Sequence, residues 1–371
     1  MKIVLISSHT KSLFWFRMDL MDEIIRNGHT VIAVGSESED KWASKFSSHG
    51  ICYKQITVER NGFNVISDLK TFFNMIRFMR REKPDKVFAY QAKSIIYGSI
   101  AARLTGTNDI YILLAGLGSI LRSEKKRHYI IKKILYLQYK IACYCSKKVF
   151  FQNNDDKNDF VNKNIINNDK VVIVNGSGVN IDRFQQAHFP KNIAFLFIGR
   201  LIRDKGIFEY LKACREIKII YPNIECLLVG PFDSNPSAIS EEDLKPYLEN
   251  NIIQYFGEQQ DVRKYIRRSS IFVLPSYHEG TPKTVIEAMA MGRPIITTNA
   301  PGCKETVENG VNGYLINIKD TSELVNKMKL FIENPQLIKE LGDKSREIAC
   351  EKYDVSKVNR VMISEMQLYG G

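Results

Sequence analysis

The sequence predicts an α/β protein of two domains, each built on a doubly wound parallel sheet. Its 371 residues are too many for one ordinary core, and a hydrophobic content of 44% is enough to build two. Short β-branched runs alternate with longer amphipathic segments, which is typical of parallel strands joined by helices on both faces of a sheet. Because this alternation restarts in the second half, we expect two Rossmann-like domains that face a central cleft.

The strand candidates form two series. The first consists of residues 2–6, 30–35, 86–89, 110–113, 149–151 and 171–174, and the second of residues 194–198, 225–229, 253–256, 271–274, 294–298 and 314–316. A polar stretch at residues 185–192 separates them and is the expected linker. We therefore expect an N-terminal domain over residues 1–188 and a C-terminal domain over residues 189–353. A closing helix within residues 354–371 is expected to cross back to the N-terminal domain.

Composition argues against several classes of protein. The seven cysteines are scattered without CxxC spacing, so we expect free thiols in a reducing compartment. The first apolar stretch is too short for a signal peptide, and no run of about 18 apolar residues predicts a membrane span. A cytoplasmic protein is expected.

The excess positive charge lies in one half of the chain. The net charge is +12, and residues 1–190 hold 29 lysines and arginines against 17 acidic residues, whereas residues 191–371 hold 24 of each. Such an asymmetry indicates an acidic partner for the first half, either nucleic acid or an anionic membrane surface.

Two glutamates, Glu279 and Glu287, flank the predicted start of a helix that follows the strand candidate 271–274. Thr281 is expected to cap this helix and Pro282 to occupy its first position, where a missing N–H costs nothing. The unpaired N–H groups and the positive end of the helix dipole attract anions. The segment therefore predicts a site that holds a phosphate together with hydroxyl groups.

Two cations, Arg200 and Lys205, follow the strand candidate 194–198. Carboxyl ends of parallel strands share one edge of the sheet, so both cations are expected at that edge. Two fixed positive charges suit a diphosphate, which Arg can bind in a bidentate manner. The alternative is a pair of solvated loop cations.

These motifs occur together in a fixed order. The chain carries Gly199-Arg200-x4-Lys205-Gly206, Phe256-Gly257, Glu279-x7-Glu287 and Gly302-x2-Glu305. Their order and spacing resemble the donor domain of the retaining glycosyltransferases of the GT-B fold, the family called glycosyl transferases group 1. The resemblance implies an enzyme that uses a UDP-sugar as donor. Because no DxD triplet is present to hold a divalent ion, we expect no metal and no other cofactor.

The resemblance also implies roles for single residues. Arg200 and Lys205 would hold the diphosphate and stabilise the leaving group, and Glu279 would face the transferred sugar, so these three form the catalytic set. Glu287 would accept hydrogen bonds from the ribose hydroxyls. The remaining donor-binding positions are Gly199, Gly257 and the backbone N–H groups of Lys283, Thr284 and Val285.

The first half resembles a narrower group. Phe16-Arg17-Met18 and the segment with Gly116 and Gly118 are similar to bacterial enzymes that add an N-acetylhexosamine or hexose to undecaprenyl-diphosphate-linked sugars. This implies transfer to a polyprenyl-diphosphate-linked glycan in O-antigen, capsule or glycoprotein glycan assembly, with GalNAc as the best guess for the sugar. His9 is the nearest candidate for an acceptor-side base, although a histidine at that place is often structural. The acceptor-side set is therefore His9, Arg17, Gly116 and Gly118.

The basic excess is centred on one predicted helix. Lys126, Lys133, Lys140 and Lys147 recur every seven positions and form one stripe, while Ile130, Ile134, Leu137 and Ile141 form another. Interleaved tyrosines favour docking to an anionic membrane surface, and the amphipathic residues 69–81 are a second candidate anchor. The alternative is an apolar side that faces the core. We expect peripheral attachment to the inner face of the cytoplasmic membrane.

Three other functions remain open at this stage. The same chemistry could act on a soluble acceptor, and a UDP-sugar epimerase shares the two-domain architecture but needs no acceptor. A nucleic-acid-binding module is disfavoured, because the basic residues lie on helices without a recognisable reading motif.

Overall fold

The computed structural model describes residues 1–56, 65–122, 129–233, 235 and 237–369, apart from the side chains of Val65, Ser119 and Ile120. It divides into two compact units. The first unit comprises Met1–Ser177 and Ser356–Gly371, and the second comprises Gly178–Val355. The boundary thus lies after Ser177, whereas the sequence placed it after residue 188.

The first unit contains a parallel sheet. Its strands in the described residues are β1 (Lys2–Ser7), β2 (Thr30–Gly35), β3 (Cys52–Gln55), β4 (Lys86–Tyr90), β5 (Asp109–Leu114), β6 (Lys148–Phe151) and β7 (Val171–Ile173), in the order β3-β2-β1-β4-β5-β6-β7. The sequence missed β3, because this short edge strand alternates in polarity and lacks the apolar run of the inner strands. Its helices up to the boundary are α1 (Thr10–Arg26), α2 (Glu39–Ser47), α3 (Val65–Glu82), α4 (Ala92–Leu104), α5 (Gly118–Arg122), α6 (Tyr129–Cys145) and α7 (Asn154–Asn162).

The second unit contains another parallel sheet. Its described strands are β8 (Ala194–Ile198), β9 (Glu225–Val229), β10 (Gln254–Tyr255), β11 (Ile271–Leu274), β12 (Ile295–Thr298) and β13 (Gly313–Ile316), in the order β10-β9-β8-β11-β12-β13. Its helices are α8 (Ile207–Ile220), α9 (Glu241–Glu249), α10 (Arg263–Arg268), α11 (Lys283–Ala290), α12 (Thr321–Glu333) and α13 (Gln336–Lys352). The last helix, α14 (Val355–Glu365), belongs to the first unit from Ser356 onward.

Helices cover both faces of the first sheet. Side chains of α1, α2 and α14 form one apolar cluster and those of α3, α4 and α6 form another, and neighbouring β1 residues such as Val4 and Leu5 enter opposite clusters. The chain after α14 is fixed to this unit, since the Tyr111 hydroxyl donates to the Met366 carbonyl (3.4 Å). No helix in the described ranges is long and apolar enough to cross a membrane.

The polar stretch at residues 185–192 is not the linker that the sequence suggested. The fully buried Arg293 donates to the carbonyls of Ala187 (2.8 Å) and His188 (2.9 Å), and its guanidinium lies 4.6 Å from the ring centre of Phe189. These contacts fix the stretch to the second unit. Polar side chains marked it as a linker, but its backbone is held by an arginine about 100 positions away.

The chain instead leaves and re-enters the first unit at two adjacent positions. The N–H of Val179 donates to the Tyr353 carbonyl (2.7 Å), and the N–H of Val355 donates to the Val179 carbonyl (3.0 Å). Gly178 has φ +67°, and a Cβ there would lie 2.5 Å from the Cα of Val355. Close packing of the two crossings therefore requires glycine at this position.

Candidate functional site

The predicted donor residues lie at the carboxyl edge of the second sheet. Gly199 to Lys205 follow β8, Gly257 follows β10, and Glu279 lies in the loop between β11 and α11. This edge is where open parallel sheets bind ligands. The structure therefore brings together the residues that the sequence assigned to one site.

Glycines allow these strand ends to come close together. A Cβ on Gly230, after β9, would lie 1.8 Å from the Gly199 carbonyl oxygen. The N–H of Gly230 also donates to the Gly257 carbonyl (2.9 Å), so the ends of β8, β9 and β10 form one compact platform.

Lys205 and Glu279 form an ion pair across two loops. The Lys205 loop is fixed by the N–H of Tyr277, which donates to the Asp204 carbonyl (2.9 Å), and by the Ser276 hydroxyl, which donates to the same carbonyl (3.1 Å). The side chains of Lys205 and Glu279 are only 20% and 11% exposed. A cation and a carboxylate are thus held at one partly enclosed position.

Gly206 fixes the distance between the same two loops. It has φ +73°, and a Cβ there would lie 2.1 Å from the Pro275 carbonyl oxygen. We expect Gly206→Ala to destabilise the protein by about 3 kcal/mol, because backbone strain and a clash with backbone add. Gly310→Ala is the matched control, since Gly310 has φ +81° but open space around it, and about 1 kcal/mol is expected. Chemical denaturation measures both; equal losses would contradict the close approach.

Arg200 pairs with an acidic residue that the sequence did not reveal. Its Nη1 lies 2.9 Å from Oδ2 of Asp233, whose side chain is 12% exposed, while that of Arg200 is 38% exposed. The loop after β9 runs beside Arg200, because the N–H of Leu201 donates to the Pro231 carbonyl (3.0 Å). Asp233 follows a Gly-Pro turn 33 positions from Arg200, and no local pattern connects the two residues.

Helix α11 begins one residue later than predicted. Pro282 occupies the N-cap position, with ψ 111°, so Thr281 is not the cap. The N–H of Val285 donates to the Pro282 carbonyl (3.1 Å), which corrects the expectation that it serves a phosphate. The Thr284 hydroxyl donates to the Ile198 carbonyl (3.1 Å) and fixes the helix start to the end of β8. The N–H groups of Lys283 and Thr284 lie in the first turn, where the helix itself offers no acceptor.

Glu287 is a buried carboxyl group on α11. It is 8% exposed, and burial raises its pKa to about 7, although Lys283 and Arg183 oppose this rise. Within the described residues its carboxylate accepts no hydrogen bond. Lys283 remains close but donates its ammonium to the Gly178 carbonyl (2.6 Å). Glu287 is therefore a strong acceptor suited to hydroxyl groups.

The acceptor-side residues belong to the first unit. His9 precedes α1 at the carboxyl end of β1, and Gly116 (φ +108°) and Gly118 (φ +71°) follow β5. Since β4 lies between β1 and β5, these loops are about 10 Å apart along one sheet edge. Arg17 lies in the middle of α1 and is 3% exposed.

The apolar stripe of α6 faces solvent. Ile130, Ile134, Leu137 and Ile141 are 70%, 49%, 60% and 43% exposed, whereas Tyr139 and its neighbours Ala142 and Cys143 face the core. The interpretation of this stripe as core-facing is therefore wrong.

The lysines of this region differ in their surroundings. Lys133 and Lys140 are exposed on α6. Lys147 lies beyond the end of the helix and pairs with Asp109 (3.0 Å), so it does not continue the helical stripe. Lys126 lies outside the described residues.

Comparison with known proteins finds a glycosyltransferase family model in each half of the chain. Residues 179–348 match the family model described as glycosyl transferases group 1, and residues 2–153 match glycosyl transferase 4-like. The chain is 25% identical, over 91% of each chain, to the N,N'-diacetylbacillosaminyl-diphospho-undecaprenol alpha-1,3-N-acetylgalactosaminyltransferase of Campylobacter jejuni. It is also 25% identical to the UDP-Gal:alpha-D-GlcNAc-diphosphoundecaprenol alpha-1,3-galactosyltransferase of Escherichia coli, over 73% of this chain and 72% of the other.

The fold comparison agrees with the family match. Sucrose-phosphate synthase from Thermosynechococcus elongatus superposes with a TM-score of 0.82 at 17% identity, covering 99% of this chain and 98% of that chain. The predicted pair of Rossmann-like α/β domains is confirmed by the two parallel sheets and by this likeness. The chain is a GT-B-fold glycosyltransferase, in which residues 179–348 are similar to glycosyl transferases group 1 and residues 2–153 to glycosyl transferase 4-like proteins.

Proposed function

We propose that this enzyme transfers a hexose or N-acetylhexosamine, with GalNAc as the best guess, from a UDP-sugar to a polyprenyl-diphosphate-linked glycan with retention of configuration. The similarity over 91% of the chain to a transferase named for such an acceptor carries the proposal. The second relative is named for a UDP-sugar donor and for an acceptor of the same kind. The pathway would be bacterial O-antigen, capsule or glycoprotein glycan assembly.

The charges at the second sheet support a nucleotide-diphosphate donor. Arg200 and Lys205 pair with Asp233 and Glu279, so an incoming diphosphate would exchange one set of negative partners for another. Glu287 would accept the ribose hydroxyls, because it is an enclosed carboxyl group that accepts no hydrogen bond from the described residues. Glu279, released from Lys205 by this exchange, would then face the transferred sugar.

The proposed reaction needs no protein nucleophile. The bond from C1 of the sugar to the β-phosphate oxygen breaks, and C1 bonds to an acceptor hydroxyl oxygen on the same face. The hydroxyl proton passes to the departing phosphate, and UDP leaves. Arg200 and Lys205 act where negative charge develops, which is the task a divalent ion performs in other transferases.

We therefore expect full transferase activity in the presence of EDTA.

The exposed stripe of α6 supports docking to an anionic membrane. Lys133 and Lys140 accompany it, and α3 exposes Ile66 (81%), Leu69 (51%) and Phe73 (63%) on the same layer of the domain. At the C-terminal end of α6, Tyr144 joins Arg103, Lys148 and Lys170 around a depression of about 490 Å³. Apolar side chains beside cations suit the headgroup region of a bilayer. The enzyme would thus attach to the inner face of the cytoplasmic membrane, where a lipid-linked acceptor is reached.

Charging the stripe should release the enzyme from membranes. We expect Ile134→Glu combined with Leu137→Glu to lower binding to vesicles containing phosphatidylglycerol at least about tenfold, because two inserted side chains are lost. Ile219→Glu is the control, since Ile219 is 77% exposed on α8 of the other unit. Flotation measures binding. Unchanged flotation of the double variant would contradict docking through α6, and dissociation of a dimer would assign the stripe to a second copy of the chain.

The proposed function is tested with purified enzyme, a panel of UDP-sugars and two acceptors carrying the same glycan. One acceptor has a short polyprenyl diphosphate and the other is a simple glycoside. Transfer with α configuration to the diphosphate acceptor, assigned by NMR coupling constants, is expected. Preference for the glycoside would favour a soluble acceptor, and conversion of the donor without acceptor would favour an epimerase.

A further inference from the structure

Arg17 is a buried cation for which the described residues supply no counter-charge. It lies on the buried face of α1, and the only interaction of its guanidinium within the described residues is with the ring of Tyr90, 5.3 Å away. Its Nε is enclosed and has no hydrogen-bond partner. Buried charged groups in proteins are normally paired and hydrogen-bonded, so this environment is unusual.

Arg293 shows how this protein satisfies an arginine that serves only the fold. Arg293 is equally buried, and its guanidinium donates to the carbonyls of Ala187, His188 and Ile266, at 2.8, 2.9 and 3.0 Å. Arg17 makes no such bond within the described part of the chain. Burial lowers the pKa of Arg17 to about 10, which leaves it charged at neutral pH. A structural role does not explain an arginine that donates no hydrogen bond to the described residues.

The Tyr90 ring that Arg17 contacts belongs to a group of uncharged hydrogen-bonding residues. The Tyr90 hydroxyl donates to Oγ of Ser12 (3.1 Å), and the hydroxyls of Ser7 and Ser8 donate to Oε1 of Gln91 (2.9 and 2.8 Å). Ser7, Ser8, Tyr90 and Gln91 lie at the carboxyl ends of β1 and β4, at the ligand-binding edge expected for a parallel sheet, and Ser12 lies in the first turn of α1. Hydroxyl groups on the same side of the sheet as a planar cation are suited to phosphate oxygens.

We propose that Arg17, in the first unit, binds a phosphate group of a substrate. If the proposed function holds, on which this assignment of the source rests, the group is the diphosphate of the lipid-linked acceptor. The other possible source is the diphosphate of the donor. In either case the anion supplies the counter-charge that the described part of the chain does not.

A binding experiment tests the site without any transfer reaction. Pyrophosphate is titrated in thermal unfolding of the Arg200→Ala, Lys205→Ala double variant, which lacks the two cations of the other unit. We expect pyrophosphate to raise the Tm, and further addition of Arg17→Met to abolish that rise without lowering the Tm of the free protein. Arg26→Met, on the exposed side of the same helix, is the matched control and should keep the rise. A lower Tm or misfolding with Arg17→Met, or an undiminished response to pyrophosphate, overturns the proposal.

Kinetics of the otherwise unaltered enzyme identify the source of the phosphate. For an acceptor phosphate, Arg17→Met raises the KM for the diphosphate acceptor at least about tenfold, but leaves the glycoside acceptor and the Kd for UDP unchanged. For a donor phosphate, the Kd for UDP rises by a similar factor and transfer to both acceptors falls equally. Loss on both acceptors with an unchanged Kd, or no loss at all, contradicts the proposal. If the enzyme fails to use any lipid-linked acceptor, the pyrophosphate experiment still decides whether the site exists.

Discussion

Replacing Arg200 by alanine is expected to lower kcat about 100-fold to 1000-fold while the KM for the donor changes little. Negative charge on the leaving diphosphate is greatest in the transition state, so a cation that meets it there contributes more to turnover than to ground-state binding. The Arg200 side chain can leave Asp233 and contact the diphosphate, because it is 38% exposed and Asp233 lies on a separate loop.

The matched control for Arg200 is Arg203→Ala. Arg203 lies in the same loop but its guanidinium is 4.4 Å from the ring centre of Phe208, so its removal should change kcat by less than about threefold. Steady-state and single-turnover kinetics with the preferred donor measure both variants. A raised donor KM with an unchanged kcat for Arg200→Ala would show that the residue contributes uniform binding instead.

Glu287→Gln is expected to weaken UDP binding at least about tenfold at pH 8, because the hydroxyls lose a charged acceptor. The pKa of Glu287 is raised to about 7 by burial, so wild-type affinity should fall as the pH drops below 7 and the carboxylate is protonated. Binding of UDP at pH 7 should therefore release a proton from wild type that Glu287→Gln does not release. Calorimetry in buffers of different ionisation enthalpy measures this release.

The same substitution should have a stability effect of known sign. The native state of wild type holds the Glu287 proton between pH 4.5 and about 7, where the unfolded state has lost it, so stability falls as the pH rises through this window. Above pH 7 the penalty is complete, and Glu287→Gln should be more stable than wild type by up to about 3 kcal/mol. Below pH 4.5 the two should agree. Glu340→Gln, an exposed position on α13, is the control and should follow wild type at every pH.

Much of the framework could be predicted because inner parallel strands are continuous apolar runs. β2, β8, β9 and β11 begin and end at the residues that the sequence indicated. The donor edge was also predictable, since strand ends carry Gly199 and Arg200 and the helix after β11 begins beside a glutamate. In this part of the chain, the position of a residue just after a strand is enough to place it at the carboxyl edge of the sheet.

The remaining features depend on contacts between distant residues. Asp233 approaches Arg200 only because glycines bring the ends of β8 and β9 together, and Arg293 fixes a stretch of polar appearance to the second unit. The amphipathic pattern of α6 predicted a helix with an apolar side but could not say whether a core covered that side. The sequence likewise cannot show that Arg17 is buried without a hydrogen-bond partner among the described residues.

The pairing of Val179 with Asp354 marks where the chain leaves the first unit and returns to it, and this has a consequence for biosynthesis. The first unit is discontinuous, and its apolar cluster requires Met362, Ile363 and Met366, which follow the whole second unit in the chain. On the ribosome the second unit can therefore complete its fold first, while the first unit still lacks the α14 side chains that cover its apolar cluster. A premature stop codon just before α14 should leave the second unit soluble and the first one a target for chaperones and proteases.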